Sequence, residues 1–179
     1  PLVQALNGEL KGDPNRVSAL LTDLLASNSG ITLALQGPPG TGKSTVTGQV
    51  IAQLAKQGQR IAISSNSHAA INNLLKKAKR TCADAGVSGQ VVKCSNSKEE
   101  AMADAGIAVL KPGQLTDAMA VVGGTTWMFC KEALAEQFDW LVVDEAGQMS
   151  LANLLVMGRC ARSILLVGDQ QQLAQPSQA

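Results

Sequence analysis

Tyrosine is absent from this 179-residue chain, histidine occurs once, and two tryptophans and two phenylalanines are its only aromatic rings. With so few rings, the hydrophobic core has the stronger claim on Trp127 and Phe129, although Trp127 could instead stack on a base. The four cysteines, Cys82, Cys94, Cys130 and Cys160, lie far apart and form no CxxC pair, which argues against a zinc knuckle or redox motif and for reduced thiols. His68 has no cysteine or second histidine near it in sequence, so a metal role is discounted. A net charge of +1 gives no global basic field, and charge neither supports nor excludes a nucleic-acid partner. No apolar run reaches the roughly 18 residues of a membrane span. No charged-then-apolar leader opens the chain, so the expectation is a cytoplasmic protein without membrane contact.

What is present is the composition of an ordinary globular domain, 45% hydrophobic and 16% charged. One domain over residues 1–179 is expected. The missing methionine at position 1 and the loop-like ending "AQPSQA" lead us to expect a fragment of something longer. Five short apolar runs, "ITLAL", "RIAI", "MAVV", "WLVV" and "SILLV", are too short for helices and read as buried strands. Helical spacing fills the intervals: "STVTGQVIAQLAKQ" stopped by Gly58, and "SHAAINNLLKKAKR" capped by Ser67. An earlier helix starting at Asp13 and Pro14 is expected to bury Val17, Leu20, Leu21, Leu24 and Leu25. Continuous hydrophobic strands alternating with helices predict an α/β fold, a mostly parallel sheet with helices on both faces. "CSNSKEEAMADAGIAVLKPGQLTD" allows a short helix, a loop or both.

In such a sheet ligands sit beyond the carboxyl ends of the strands, so the residues that follow each strand carry the argument. After "ITLAL" comes "GPPGTGKS", with the spacing of a P-loop. Its glycines let backbone N–H groups converge on phosphate oxygens, the following helix turns its positive end to them, and Lys43 adds a mobile charge. Ser44 can ligate the magnesium that accompanies a nucleotide. After "WLVV" stand Asp144, a candidate magnesium partner, and Glu145, which can take a proton from an attacking water. "SILLV" runs into "GDQQQL", where Gln172 is a candidate γ-phosphate contact. After "RIAISS", Asn66 and Ser67 could hydrogen-bond a nucleic-acid backbone, or Ser67 could act only as a helix cap. Lys76, Lys77, Lys79 and Arg80 read as a solvated face at the end of that helix.

Together "GPPGTGKS", "SSNSHAAINNLL", "VVGGTTW", "LVVDEAGQ" and "LLVGDQQQL" stand in an order and spacing that resembles the first RecA-like domain of superfamily 1 helicases. Within them the likeness is to the 1B branch of nonsense-mediated-decay helicases, especially bacterial versions fused to a RecB-like nuclease. It runs from Ile31 to Pro176. The resemblance implies a P-loop ATPase domain that acts on single-stranded DNA or RNA, with ATP and Mg2+ as cofactors and a second RecA-like domain as partner. It implies nucleotide binding across Gly37, Pro38, Pro39, Gly40, Thr41, Gly42, Lys43, Ser44 and Thr45, with magnesium on Ser44 and Asp144. Lys43, Asp144, Glu145 and Gln172 take catalytic roles in it, and Ser65, Asn66, Ser67 and Thr125 contact the strand. Many members carry a glutamine before the P-loop that reads adenine, and "NRVSALLTDL" has none. Two other classes stay open: a nucleotide-dependent switch or loading ATPase that does not translocate, and a P-loop kinase, against which the adjacent Asp144 and Glu145 speak by favouring water as acceptor.

Overall fold

The computed structural model describes residues 14–27, 29–96 and 100–169. In chain order these form α1 (Pro14–Ser27), β1 (Thr32–Gln36), α2 (Lys43–Lys56), β2 (Ile61–Ser65), α3 (His68–Asp84), β3 (Gln90–Cys94) and α4 (Glu100–Ala103). Then come β4 (Ala108–Leu110), β5 (Met119–Gly123), α5 (Thr126–Phe129), β6 (Phe138–Asp144), α6 (Leu151–Gly158) and β7 (Ala161–Gly168). The strands make one seven-stranded sheet in the order β1-β7-β6-β2-β5-β3-β4, and every pair is parallel.

The apolar runs inside the sheet form strands because both of its faces are covered there; β1, expected to be buried, is instead an edge strand whose Thr32, Ala34 and Gln36 are exposed. On β2, Ile61 and Ile63 point into one core with Trp140, Val142, Val121 and Leu165, while Ala62 points into the other with Leu141, Val143 and Val122. That alternation is the period of two of an extended chain. The first core is closed by Leu25 of α1, Val50, Ile51 and Leu54 of α2, and Ile71, Leu74 and Leu75 of α3. The second is closed by Phe129 of α5 and Met157 of α6. Each fully buried Ile or Leu stabilises the fold by about 1.5–3 kcal/mol.

The helix signals behave as their chemistry requires. Gly58 takes a φ of 81° and donates its amide to the Ala55 carbonyl at 3.0 Å, closing α2. Ser67 caps α3, its Oγ accepting the Ala70 amide at 3.1 Å. That helix runs to Asp84, past the end expected near Arg80, because Ala78 and Cys82 continue its buried stripe and the first stop is Gly86, at φ 71°.

Four further expectations need correction. The sheet has two more strands than the five apolar runs. In β3 ("QVVKC") a buried lysine interrupts the apolar signal, and β4 is only three partly exposed residues inside the segment read as helix or loop. On α1, Leu20 is exposed whereas Ser18 and Thr22 are buried, the Thr22 hydroxyl donating to the Ser18 carbonyl at 2.9 Å. A threonine whose hydroxyl is satisfied by its own helix's backbone can face the core, which leaves Leu20 on the outer face. Asp13 lies outside the described residues. The third and fourth corrections concern Trp127 and Lys77, which belong to the site.

Candidate nucleotide site and the adjoining face

Because all seven strands are parallel, their carboxyl ends share one edge. Register fixes which ends are neighbours: Gln36 stands opposite Gly168, and Ser65 opposite Asp144. The loop after β1, the acids after β6 and the end of β7 therefore converge.

The loop's glycines are required by its path. Gly40 and Gly42 take φ values of 79° and 83°, in the left-handed region that side chains disfavour. At Gly37 a Cβ would lie 2.9 Å from Thr41 Oγ1, and the Gly37 amide donates to the Gly168 carbonyl at 3.3 Å, tying the loop to β7. The Thr41 hydroxyl donates to the Pro38 carbonyl at 2.8 Å. The Lys43 ammonium bends back over the loop, donating to the Gly37 carbonyl and to the Pro38 carbonyl, the latter at 2.8 Å. No side chain caps the start of α2, so the positive end of a 14-residue helix opens toward the space the loop surrounds.

That space is a cleft of about 390 Å³, lined by Pro39, Gly40, Gly42, Lys43, Ser44, Thr45, Lys77, Asp144, Glu145, Gly168 and Asp169. Burial pushes the Asp144 carboxyl above its ordinary range; the Glu145 amide, donating to Asp144 Oδ1 at 3.0 Å, pulls it back, the Glu145 carboxylate raises it, and Lys43 lowers it. Glu145 itself holds a φ of 54°, an uncommon backbone for a residue with a side chain and one that clusters at functional sites. A hydroxyl at Ser44 and a carboxylate at Asp144 on one cleft suit magnesium, which takes oxygen ligands, keeps several waters and draws the rest from phosphate.

Sequence reasoning brought Lys43, Ser44, Thr45, Asp144 and Glu145 to one cleft, and the structure places them there. Pro38 and Gly37 shape the loop from behind. Gln172 lies outside the described residues. Lys77 was taken for part of a solvated face, yet it lines the cleft, its ammonium donating to Thr45 Oγ1 at 2.6 Å. The missed signal was Gly48: a glycine inside a helix marks a close approach, and a Cβ there would sit 3.2 Å from Lys77 Cγ.

Beside the cleft, on the same sheet edge, lie the candidate strand-binding residues. Ser65 is buried, Asn66 and Ser67 are exposed, and Thr125 is half-buried. A hollow of about 170 Å³ is lined by His68, Cys94, Ser95, Asn96, Thr125, Trp127, Met128 and Lys131. Trp127, on which the core has the stronger claim by sequence, is 81% exposed; Phe129 fills the core instead, edge-on to Phe138 with ring centroids 5.7 Å apart. Four-residue α5 can turn only one of the two rings inward, and Phe129 lies on the buried side with Met128. Beneath the hollow, the fully buried Lys93 donates to Asn72 Oδ1 at 2.6 Å and lies 3.3 Å from His68 Nδ1.

A P-loop after the first strand and an acid pair after a central one, on an all-parallel sheet, define a P-loop NTPase of the RecA-like kind. A family model described as an AAA domain matches residues 18–178, and the chain belongs to that family. Among curated relatives it is 28% identical over 142 residues to the DNA replication ATP-dependent helicase/nuclease DNA2 of Saccharomyces cerevisiae, covering 76% of this chain and 9% of that protein. To DNA2 of Xenopus laevis it is 32% identical over 145 residues, covering 76% and 14%. JHS1 of Arabidopsis thaliana, which carries the same description, is 28% identical over 181 residues, covering 97% and 13%. The chain thus spans between 9% and 14% of these relatives' length. Its fold is shared with a nuclease-deletion mutant of the Type ISP restriction-modification enzyme LlaGI, solved with a DNA substrate mimic, at a TM-score of 0.56 and 15% identity, covering 95% of this chain and 19% of that one. The curated relatives are named as ATP-dependent helicase/nucleases, and the solved structure shares this chain's fold.

Proposed function

We propose that this chain is the ATP-binding and ATP-hydrolysing motor domain of a helicase that acts on single-stranded nucleic acid. The observation that carries the reading is the single cleft in which the P-loop, Asp144 and Glu145 meet, with β2 leading from beside Asp144 into the exposed segment 66–67. In it the amides of Gly40, Thr41, Gly42 and Lys43 cradle the phosphates, and the Lys43 ammonium leaves the loop carbonyls for the β- and γ-phosphates. Ser44 and Asp144 would hold magnesium, which neutralises charge on the β- and γ-oxygens. Glu145 orients the attacking water and accepts its proton. Gln172 completes the γ-phosphate contact.

Asn66, Ser67 and Thr125, with the backbone at Ser65, hold the single strand, and the exposed Trp127 gives a base a face to stack on. The relatives' names, which pair an ATP-dependent helicase with a nuclease, support both the motor and a nuclease in the same protein. A second RecA-like domain supplies arginine to the open side of the cleft, and arginine supplied this way is worth about 10³–10⁵ in rate in other P-loop enzymes. The chain alone therefore binds ATP and turns it over slowly. Free cysteines support a reducing, cytoplasmic setting. No helix among the described residues is long and apolar enough to cross a membrane.

The test is ATP binding by this chain against Lys43→Ala, then hydrolysis with and without single-stranded DNA or RNA. Lys43→Ala should lose nucleotide affinity with the fold intact. Stimulation by one polymer establishes the motor and names its track. Hydrolysis indifferent to both moves the reading to a switch or loading ATPase.

A further inference from the structure

The nucleotide cleft contains a second ammonium that its P-loop does not provide. Lys77 comes from the middle of α3, and its Nζ rests on Thr45 Oγ1 at 2.6 Å. It reaches that far because α2 and α3 touch at Gly48: its Cγ would stand 3.2 Å from any Cβ there, and the Thr81 hydroxyl donates to the Gly48 carbonyl at 2.9 Å. The lysine stem is thus gripped between two helices well inside α3, where fraying does not reach. Its partner is a neutral hydroxyl, and among the described residues no carboxylate lies within ion-pair distance of it. A half-buried cation held by a neutral hydroxyl, on a cleft it shares with Asp144, Glu145 and Asp169 without an ion pair to any of them, faces the space that the phosphate loop surrounds.

We infer that Lys77 is a second phosphate-binding residue of the cleft, recruited from α3 and held ready by Thr45. The inference rests on the nucleotide reading above. Position decides which part of the ligand it meets. Lys43 serves the β- and γ-phosphates, whereas Thr45 follows Ser44 into the helix, on the side of the loop whose amides cradle the α- and β-phosphates. Lys77 therefore grips the portion that ADP and ATP share. Since α3 begins at the exposed segment 66–67, this contact also joins the bound nucleotide to the helix that starts at the candidate strand-binding residues.

The experiment measures ATP and ADP affinity of the chain with Lys77→Met, Lys43→Ala and Thr45→Val, along with thermal midpoints without nucleotide. Loss of one charge-assisted hydrogen bond predicts that Lys77→Met weakens ATP and ADP alike by roughly tenfold or more. Thr45→Val, which frees Lys77 without removing it, should cost less. A measurement on the unaltered chain covers the case of a variant that misfolds: acylation of surface amines read by mass spectrometry, where ATP and ADP should each protect Lys77 and leave Lys79 labelled as before. Nucleotide binding that Lys43→Ala abolishes and Lys77→Met leaves untouched, or equal labelling of Lys77 with and without nucleotide, overturns the inference while sparing the nucleotide reading. No binding by the unaltered chain overturns both.

Discussion

Ser65 stands directly opposite Asp144 in the parallel pair of β2 and β6. The strand end that leads into the candidate nucleic-acid segment is therefore hydrogen-bonded to the strand end that carries the cleft's half-buried carboxylate. The same segment opens α3, which returns to the cleft at Lys77. Two rigid elements thus run from one proposed site to the other. A change at either site has a short, covalently continuous route to its neighbour.

The acid pair separates binding from chemistry. Asp144 is half-buried and lies near Lys43, while Glu145 projects from a left-handed backbone at the cleft's edge. Glu145→Gln keeps the shape of the cleft and removes the proton acceptor. Nucleotide affinity should be unchanged and hydrolysis should fall by about 10²–10⁴-fold, the usual worth of a general base. Equal loss of affinity and turnover would contradict the role given to Glu145.

The two tryptophans make an internal control. Trp140 is 2% exposed and Trp127 is 81% exposed, so the emission should contain a blue component that resists acrylamide and a red one that acrylamide quenches. Trp127→Ala should abolish the red component alone. Single-stranded polymer should quench that same component in the unaltered chain, and Trp127→Ala should weaken polymer binding by about 1–3 kcal/mol, the value of one stacked base. Polymer binding that leaves Trp127 emission and affinity untouched would take the ring out of the strand's path.

Gly123, at the end of β5, is a packing requirement rather than a conformational one. A Cβ there would fall 2.4 Å from Leu75 Cδ1 and 2.7 Å from its Cγ, and Leu75 is a fully buried residue of α3. Gly123→Ala forces Leu75 out of its rotamer or α3 away from the sheet. Overpacking of this kind costs roughly 1–3 kcal/mol, to be read as a lower urea midpoint with an unchanged slope. A midpoint equal to that of the unaltered chain would show that Leu75 yields freely.

Much of this architecture was legible in the residues. Parallel strands inside the sheet announce themselves as apolar runs, which is why β2, β5, β6 and β7 are legible, the edge strand β1 shows the same signal although one of its faces is exposed, and the P-loop is dictated by glycines whose φ values leave no alternative. What was hidden depended on contacts between distant segments. β3 was masked by Lys93, whose ammonium is held inside the sheet with Asn72 Oδ1 accepting from it and His68 beside it. Lys77 looked like one more surface lysine until Gly48 let two helices close on it. Trp127 could not be told from Phe129 by pattern, since only packing decides which of two neighbouring rings turns inward.

The thiols give the sheet a signature at high pH. Burial pushes Cys82 and Cys94 from an ordinary value of 9.0 to about 11, and Cys160 to about 12; the less buried Cys130 is raised too, by burial alone. Only the thiolate alkylates, so near neutral pH Cys130 should react with iodoacetamide well before the other three, which wait for the fold to open. The same shifts fix the sign of the linkage. Below 9.0 all these thiols are neutral whether the chain is folded or not, and they cost nothing. Above it the unfolded chain releases protons that the folded chain retains, so the folded state loses ground until the folded values are passed. Stability should therefore decline across the interval from 9.0 to about 12, with Cys160 acting over the widest part of it. Urea midpoints followed through that interval for the unaltered chain and for Cys82→Ala isolate one thiol, since lysine titration is common to both. The variant's decline should be shallower, and parallel declines would mean that Cys82 ionises as readily folded as unfolded.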